Sequence, residues 1–193
     1  MSENKIETYC PSSPAEWRKW LEANHRSKQS IWLVYYRSST KMPSLTWSEA
    51  VDEALCFGWI DSTKKIIDKE RYMQYFSRRK PKSNWSKVNK EKVKSLIDQG
   101  LMKEAGYKSI EIAKENGSWT ILDSIENLEI PKELEQELNS RKEALKYFEN
   151  LSKSVKKSLL YWVVSAKREE TRKNRIAEIV ENASRHMKPK QFR

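Results

Sequence analysis

Apolar side chains in the first part of the chain follow a helical and then a strand-like spacing. A helix is predicted to begin after Ser13, because Pro14 suits the first helical position and Glu16 stands where a capping box needs it. Residues 30–37 contain a continuous apolar run that is rich in aromatic and β-branched residues. A run of that length and composition indicates a buried strand.

The next segments predict a helix followed by a β-hairpin. Thr46 and Glu49 form a second capping box, and Gly58 ends the helix that they start. Residues 59–67 and 71–78 are both strand-like, and a short polar turn separates them.

After the hairpin, the hydrophobic spacing becomes helical and stays so. Pro131 opens a polar helix, a wide apolar stripe runs through residues 152–168, and Thr171 is predicted to cap the last helix. The basic tail, residues 185–193, is expected to be frayed.

Together these elements predict an α+β fold. Residues 1–120 should form a domain of helices and a small antiparallel-type sheet of about three strands. Residues 131–187 should form an all-helical domain, and residues 188–193 a basic tail.

Composition limits the class of protein. Eight Trp and eight Tyr supply the buriable surface that a chain with 34% charged residues needs in order to fold. No stretch approaches the roughly 20 apolar residues of a membrane span, and residues 1–9 lack the apolar core of a signal peptide. We therefore expect a cytoplasmic protein. Cys10 and Cys56 are too few for a disulfide framework and are interpreted as structural thiols.

The net charge of +11 is unevenly distributed along the chain. Residues 61–103 carry thirteen Lys or Arg against five acidic residues, and residues 151–193 carry twelve against four. Between them, residues 104–150 carry eleven acidic residues against six basic ones. The basic segments could pair with the acidic one or converge into one anion-binding face, and the sequence leaves both arrangements open.

The sequence shows no signature of catalysis or of cofactor binding. His25 and His186 lie far apart and outside any cluster with metal-ligand spacing, and neither has a supporting nucleophile motif. The four glycines are too scattered for a phosphate-binding loop. We predict no catalytic residue, no metal and no cofactor, so an enzyme is the less favoured class. The oligomeric state stays open.

Aromatic and basic residues are interleaved most closely in and after the hairpin. Strand alternation allows one face to enter the core while the other offers cations and rings, which suits an anion or a planar ligand. A helix cap at Ser83 or Asn84 would add backbone N–H groups that complement a phosphate or carboxylate. We therefore predict a ligand-binding cleft between the hairpin and the next helix, lined by Trp59, Asp61, Arg71, Tyr75, Arg79 and Trp85.

A structural role for these residues is the competing interpretation. Trp59 and Trp85 would then belong to the core, and Asp61 would pair with Arg71 across the hairpin. Solvent access to this face separates the two interpretations.

Several blocks of the chain carry a family resemblance: WRKWLEANH at 17–25, EAVDEALCFGWID at 49–61, WSKVN at 85–89, and the helical residues 152–181. They resemble the YdeI/OmpD-associated family, also called the bacteriocin-protection family. The resemblance implies a bacterial protein linked by family name to protection against bacteriocins or antimicrobial peptides and to an outer-membrane porin. It implies no established reaction and supplies no catalytic residues.

Three functions are compatible with these observations. The leading hypothesis is a non-enzymatic binding protein of the stress or antimicrobial-peptide protection type, with an anionic small molecule or a peptide as its partner. The alternative is nucleic-acid binding through the basic, aromatic-rich segments, although no DNA- or RNA-reading signature is present. The third is an enzyme that acts on an anionic substrate through Asp61 and the neighbouring arginines.

Overall fold

A computed structural model describes residues 7–193. Residues 1–6, which belong to the segment judged above to lack a signal peptide, lie outside the described residues. The chain divides into two compact units, with the division between Trp119 and Thr120. The first unit contains a sheet and helices, and the second contains helices, so the predicted α+β class is confirmed.

The N-terminal unit alternates strands and helices before ending in two helices. Its elements are β1 (Thr8–Tyr9), α1 (Pro14–Asn24), β2 (Ser30–Tyr36), a 3₁₀ turn (Ser38–Thr40), α2 (Trp47–Cys56), β3 (Trp59–Ile66), β4 (Arg71–Arg78), α3 (Lys87–Asp98) and α4 (Glu104–Glu115).

The sheet has four strands in the described residues, ordered β1-β2-β4-β3, so the prediction of about three strands was one short. It is also mixed rather than antiparallel, because β1 pairs with β2 in parallel while the other pairs are antiparallel. The extra strand, Thr8–Tyr9, is two residues long. A strand that short has no hydrophobic periodicity to reveal it.

The register of the hairpin decides which side chains face the core. Residues directly opposite each other on neighbouring strands point to the same side of a sheet. Asp61 lies opposite Phe76, and Trp59 lies opposite Arg78. Phe76 is fully buried against α1, where its ring lies 5.5 Å from that of Trp17. The Trp59 and Asp61 side of the sheet is therefore the core side.

Two of the predicted helix starts form as expected, and one is displaced. Thr46 and Glu49 make the complete capping box of α2. The hydroxyl of Ser13 accepts a hydrogen bond from the backbone N–H of Glu16 at the start of α1. The helix after the hairpin is capped by Ser86 and not by Ser83 or Asn84. The first N–H groups of that helix therefore come further along the chain from the hairpin than predicted.

The C-terminal unit consists of short helices around a separate apolar core. Its elements are α5 (Asp123–Glu126), α6 (Lys132–Asn139), α7 (Lys142–Glu149), α8 (Lys153–Val164), α9 (Glu169–Ser184) and a final 3₁₀ turn (Lys190–Phe192). Fully buried side chains from four of these helices form its centre, among them Leu134, Leu138, Phe148, Leu159 and Val163.

Three details of this unit differ from the sequence predictions. Helix α8 ends at Val164 instead of continuing to residue 168, and α9 begins at Glu169, before the predicted cap Thr171. Two acidic residues in the first turn of α9 favour this earlier start, because they complement the helix dipole. The tail is not frayed at its end, since Phe192 packs edge-on against Trp162 at 5.6 Å.

No helix in residues 7–193 is both long enough and apolar enough to cross a membrane.

Candidate functional site

The sheet separates the six residues of the predicted cleft. Along β4, Tyr72, Gln74 and Phe76 point to the core side, so Arg71 and Tyr75 point to the opposite side. A single cleft lined by all six residues is therefore wrong. The β-bulge between Asp61 and Lys64 shifts the register only beyond Asp61, so it does not bring Arg71 back to the Asp61 face.

Arg71 and Asp61 each have other partners. Arg71 donates from Nε and Nη2 to the carboxylate of Asp68, at 2.9 and 2.7 Å, within the hairpin turn. Asp61 accepts hydrogen bonds from Trp47 Nε1 and Gln74 Nε2, both at 2.9 Å. The cross-hairpin pair of Asp61 with Arg71 is therefore also wrong.

Trp59 is part of the core. Its side chain is fully buried and packs edge-on against Trp20, with 5.8 Å between the ring centroids. Its indole Nε1 donates to the backbone oxygen of His25 at 3.4 Å. The structural interpretation of Trp59 fits these contacts, although the residue also borders the pocket described below.

Arg79 and Trp85 form the closest contact within the predicted set. The guanidinium carbon of Arg79 lies 3.6 Å from the centroid of the Trp85 ring. Its Nη1 donates to the backbone oxygen of Asn84 at 2.9 Å. Nε and Nη2 are buried and have no hydrogen-bond partner among residues 7–193. Burial lowers the pKa of Arg79 to about 10, and the negative charge of Asp61 opposes that shift. Arg79 is thus a buried cation that has no ion-pair partner in the described part of the chain.

A pocket of about 440 Å³ opens beside these residues, where α2 turns into β3. The residues around it come from the end of α1, the ends of the hairpin strands and helix α4: His25, Arg26, Phe57, Gly58, Trp59, Arg78, Arg79, Lys80, Pro81, Ala105, Lys108, Ser109 and Ile112.

The lining of this pocket is strongly basic. Five of its residues carry a cation, namely Arg26, Arg78, Arg79, Lys80 and Lys108, and none is Asp or Glu. Cations gathered in a concave, partly desolvated site reinforce one another's potential. The pocket is therefore suited to an anion, and we name it the basic pocket.

The cations differ in how far they are already engaged. Arg26 pairs with Glu104 at 3.1 Å, and both side chains are well exposed. Arg78 donates to the backbone oxygens of Lys28 and Arg26. No ion pair joins Lys80 or Lys108 to another residue in the described chain. Their ammonium groups are free to meet a ligand.

Gly58 allows helix α4 to approach closely beside the pocket. Its φ is +70°, and a Cβ at this position would lie 2.7 Å from the backbone oxygen of Ala105. Gly106 allows a similar approach from the other side, because its Cβ would collide with the backbone oxygen of Cys56. Two glycines thus hold α4 against the end of α2, and Lys108 lies on this helix.

His25 adds a hydrogen-bonding imidazole ring to the pocket lining. Its Nδ1 lies 2.8 Å from the backbone oxygen of Leu21, which can only accept a hydrogen bond, so Nδ1 carries the proton. Nε2 of the neutral ring is then a hydrogen-bond acceptor.

Two basic-pocket residues, Trp59 and Arg79, were predicted from the sequence, whereas His25, Arg26 and Lys108 were not. Asp61 and Trp85 lie near Arg79 but do not line the pocket. The excess of cations after residue 61 was a partial signal. His25 and Arg26 come from residues 1–60, where seven basic residues balance seven acidic ones, and only the fold brings them beside the end of β4.

Two family models match the chain. Residues 9–109 match one described as Domain of unknown function (DUF8412), and residues 127–186 match one described as Bacteriocin-protection, YdeI or OmpD-Associated. Because the first match spans more than half of the chain, the protein belongs to the DUF8412 family, and its C-terminal unit carries a YdeI/OmpD-associated domain.

The second match confirms the family resemblance seen in residues 152–181. The blocks at 17–25, 49–61 and 85–89 fall instead within the first match, so that part of the resemblance belongs to a separate domain model. Comparison with curated proteins and with solved structures gives no match.

Proposed function

We propose that this is a non-enzymatic binding protein of the bacteriocin-protection class, and that it holds a small anionic ligand in the basic pocket. The main support is the pocket lining, which has five cationic residues and no carboxylate. The class comes from the YdeI/OmpD-associated domain at residues 127–186.

The electrostatics of the pocket support an anion over a neutral or cationic ligand. Charges near a protein surface interact several times more strongly than charges in bulk water, because the effective dielectric constant is lower. Within residues 7–193, Lys80 and Lys108 form no ion pair, and the buried charge of Arg79 has no ion-pair partner. An incoming anion would offset the mutual repulsion of these cations.

The shape of the pocket favours a small ligand over nucleic acid. Its volume of about 440 Å³ falls in the roughly 300–1,000 Å³ range of small-molecule sites. Proteins that bind single strands without sequence preference use grooves that track the backbone over several nucleotides and present exposed aromatic rings for stacking. Trp59, which lines the pocket, and Trp85, which lies against Arg79, are both buried.

An enzymatic role for Asp61 has less support than binding. Its carboxylate is already held by Trp47 and Gln74, and the closest of the predicted arginines, Arg79, is anchored to Trp85 and Asn84. These contacts fix the carboxylate of Asp61 in place, which suits a structural role for Asp61.

Titration calorimetry tests the proposal. Inorganic phosphate, sulfate, citrate and a labelled single-stranded oligonucleotide would each be titrated into the full chain at about 50 mM and about 200 mM salt. We expect one of the small anions to bind. The oligonucleotide should bind weakly and nonspecifically, and its affinity should fall steeply as the salt concentration rises.

A charge-reversal pair shows whether the basic pocket is the site. Lys108→Glu should abolish the binding of the small anion, because Lys108 lines the pocket. Lys94→Glu makes the same change at an exposed residue of α3 that is not part of the lining, and it should leave binding nearly intact. Equal losses of anion binding in both variants would overturn the proposal. Tight oligonucleotide binding that Lys94→Glu also weakens would overturn it too.

A further inference from the structure

We infer that the ligand of the basic pocket is an organic phosphate monoester, whose phosphoryl group meets the cations while its organic part fills the rest of the pocket. This inference rests on the proposed function. It adds the chemical class of the ligand, which the presence of cations alone does not specify.

The cations approach the pocket from three separate elements. Arg26 lies just after α1, Arg78 to Lys80 lie at the end of β4, and Lys108 lies on α4. A carboxylate has two oxygens and one charge, so it engages one or two such groups. A phosphate monoester has three terminal oxygens and about −1.5 to −2 charge at pH 7. Its phosphoryl group therefore suits cations that converge from several directions.

The free donors match this geometry. Lys80 and Lys108 stand on different elements and are both unpaired within the described residues, so one phosphoryl group can meet an ammonium from each side. Arg79 adds positive potential to the pocket, since its guanidinium is buried and, among the described residues, its Nε and Nη2 have no hydrogen-bond partner. The backbone around Gly58 approaches closely because no side chain is present there.

The volume of the pocket and the apolar part of its lining favour a ligand that carries an organic group. A bare phosphate ion has five heavy atoms, whereas a pocket of about 440 Å³ belongs to the size class that holds small organic ligands. Phe57, Pro81 and Ile112 contribute apolar lining. Covering this lining with an organic group adds roughly 25 cal/mol per Å² of buried apolar surface, which an inorganic ion cannot provide.

Three probes separate the charge of the ligand from its organic body. Phenyl phosphate is a dianion at pH 8, because the second pKa of a phosphate monoester is about 6. Phenyl sulfate has the same ring with one charge, and inorganic phosphate has the charge without the ring. By calorimetry on the full chain, we expect phenyl phosphate to bind at least about tenfold more tightly than either of the others.

Two pairs of variants assign the two halves of the ligand. Lys108→Gln should weaken phenyl phosphate and inorganic phosphate alike, with Lys94→Gln as its control. Ile112→Ala should weaken phenyl phosphate about tenfold and leave inorganic phosphate unchanged. Ile97→Ala removes an exposed isoleucine of α3 outside the pocket and serves as the control for that change.

Failure of this inference can be told apart from failure of the proposed function. If inorganic phosphate or phenyl sulfate binds as tightly as phenyl phosphate, the anion pocket stands and the monoester is wrong. If none of the probes binds and the small anions also fail, both are wrong. Should Ile112→Ala not fold, as judged by circular dichroism, the comparison of the three probes on the unaltered protein still decides the matter.

Discussion

The guanidinium of Arg79 lies 3.6 Å above the buried ring of Trp85, while its Nε and Nη2 have no hydrogen-bond partner in the part of the chain that the structure describes. A cation held against a desolvated indole gains about 2 kcal/mol or more. That gain is set against the cost of removing a charge from water, which is several kcal/mol for a buried ion. The lowered pKa of Arg79 has the same cause, since it means that the folded protein disfavours the charged form.

Replacing Arg79 by methionine should separate stability from binding. Methionine keeps much of the volume and removes the buried charge, so we expect Arg79→Met to leave the free energy of unfolding unchanged or to raise it by about 1 kcal/mol. Anion binding should fall sharply, because the pocket loses one of its five cations. Urea denaturation and calorimetry measure the two effects.

Arg71→Met is the matched control for this substitution. Arg71 lies on the side of the sheet opposite Asp61 and forms an ion pair with Asp68 in an exposed turn. Its loss should cost between 0 and about 1 kcal/mol and leave anion binding intact. If Arg79→Met destabilised the protein by several kcal/mol without changing binding, Arg79 would be a structural residue and would have no part in the site.

Trp59→Ala should be one of the more damaging single substitutions in the N-terminal unit. The side chain is fully buried, so its truncation should cost about 3–5 kcal/mol. Trp47, which is 45% exposed, loses mainly its hydrogen bond to Asp61, and Trp47→Ala should cost about 1 kcal/mol. Equal unfolding free energies for the two variants would contradict the core assignment of Trp59.

Local signals in the sequence predicted much of the backbone, because each depends on neighbours a few residues apart. The capping box of Thr46 and Glu49, the break at Gly58 and the hairpin of residues 59–78 are of this kind. The strand Thr8–Tyr9 was missed, since its pairing with β2 depends on a long-range contact.

The candidate site was predicted less well for the same reason. Strand alternation requires Arg71 and Tyr75 to share a face, which is correct, but which face meets the core depends on the cross-strand register. That register pairs Asp61 with Phe76 and so turns Arg71 away. Lys108 reaches the basic pocket only because Gly58 and Gly106 let two helices approach, and no pattern along the chain encodes that approach.

Gly58→Ala should be destabilising beyond the usual strain of a left-handed residue. Both Gly58 and Gly100 have φ near +70°, so alanine at either position pays a conformational cost of roughly 1–2 kcal/mol. At Gly58 the new Cβ would also lie 2.7 Å from the oxygen of Ala105, whereas at Gly100 nothing lies within 4 Å.

The difference between the two variants therefore reports on the packing under the basic pocket. We expect Gly58→Ala to lose at least about 1 kcal/mol more than Gly100→Ala in urea denaturation, and to weaken anion binding as α4 is displaced. Gly100→Ala should bind anions normally. Equal destabilisation by the two changes would mean that the approach of α4 to Gly58 is not tight in solution.

The two cysteines should differ in reactivity. Burial raises the pKa of the Cys56 thiol to about 11, against the opposing effect of the Arg18 guanidinium, while Cys10 is exposed. At pH 8 a thiol reagent should label one cysteine in the native protein and a second only after unfolding. Cys10→Ser should remove the native-state labelling, and labelling that persisted in this variant would contradict the burial of Cys56.

The same pKa shift predicts a dependence of stability on pH. The pKa of Cys56 is raised in the folded state, so the neutral thiol favours folding at pH values below about 8.5, the pKa of an unfolded cysteine. This contribution is lost as the pH rises through about 11. Between pH 8.5 and pH 10.5 the free energy of unfolding should therefore fall further for the unaltered protein than for Cys56→Ala. Urea denaturation at each pH measures this difference.

The C-terminal unit should fold when it is produced alone as residues 120–193. It has its own core of fully buried side chains, and its length exceeds the roughly 40 residues below which domains usually need disulfides or metals. An ion pair between Lys157 and Glu126, at 2.6 Å, joins α8 to α5 within the unit. Far-ultraviolet circular dichroism should show a helical spectrum and a cooperative thermal transition.

Within this fragment, Phe148→Ala should abolish that transition, because the loss of about 3–5 kcal/mol is comparable to the whole stability of a small domain. Ile121→Ala, at a residue that is 39% exposed, should leave it nearly unchanged. A fragment with the spectrum of a random coil would show that this core is insufficient by itself.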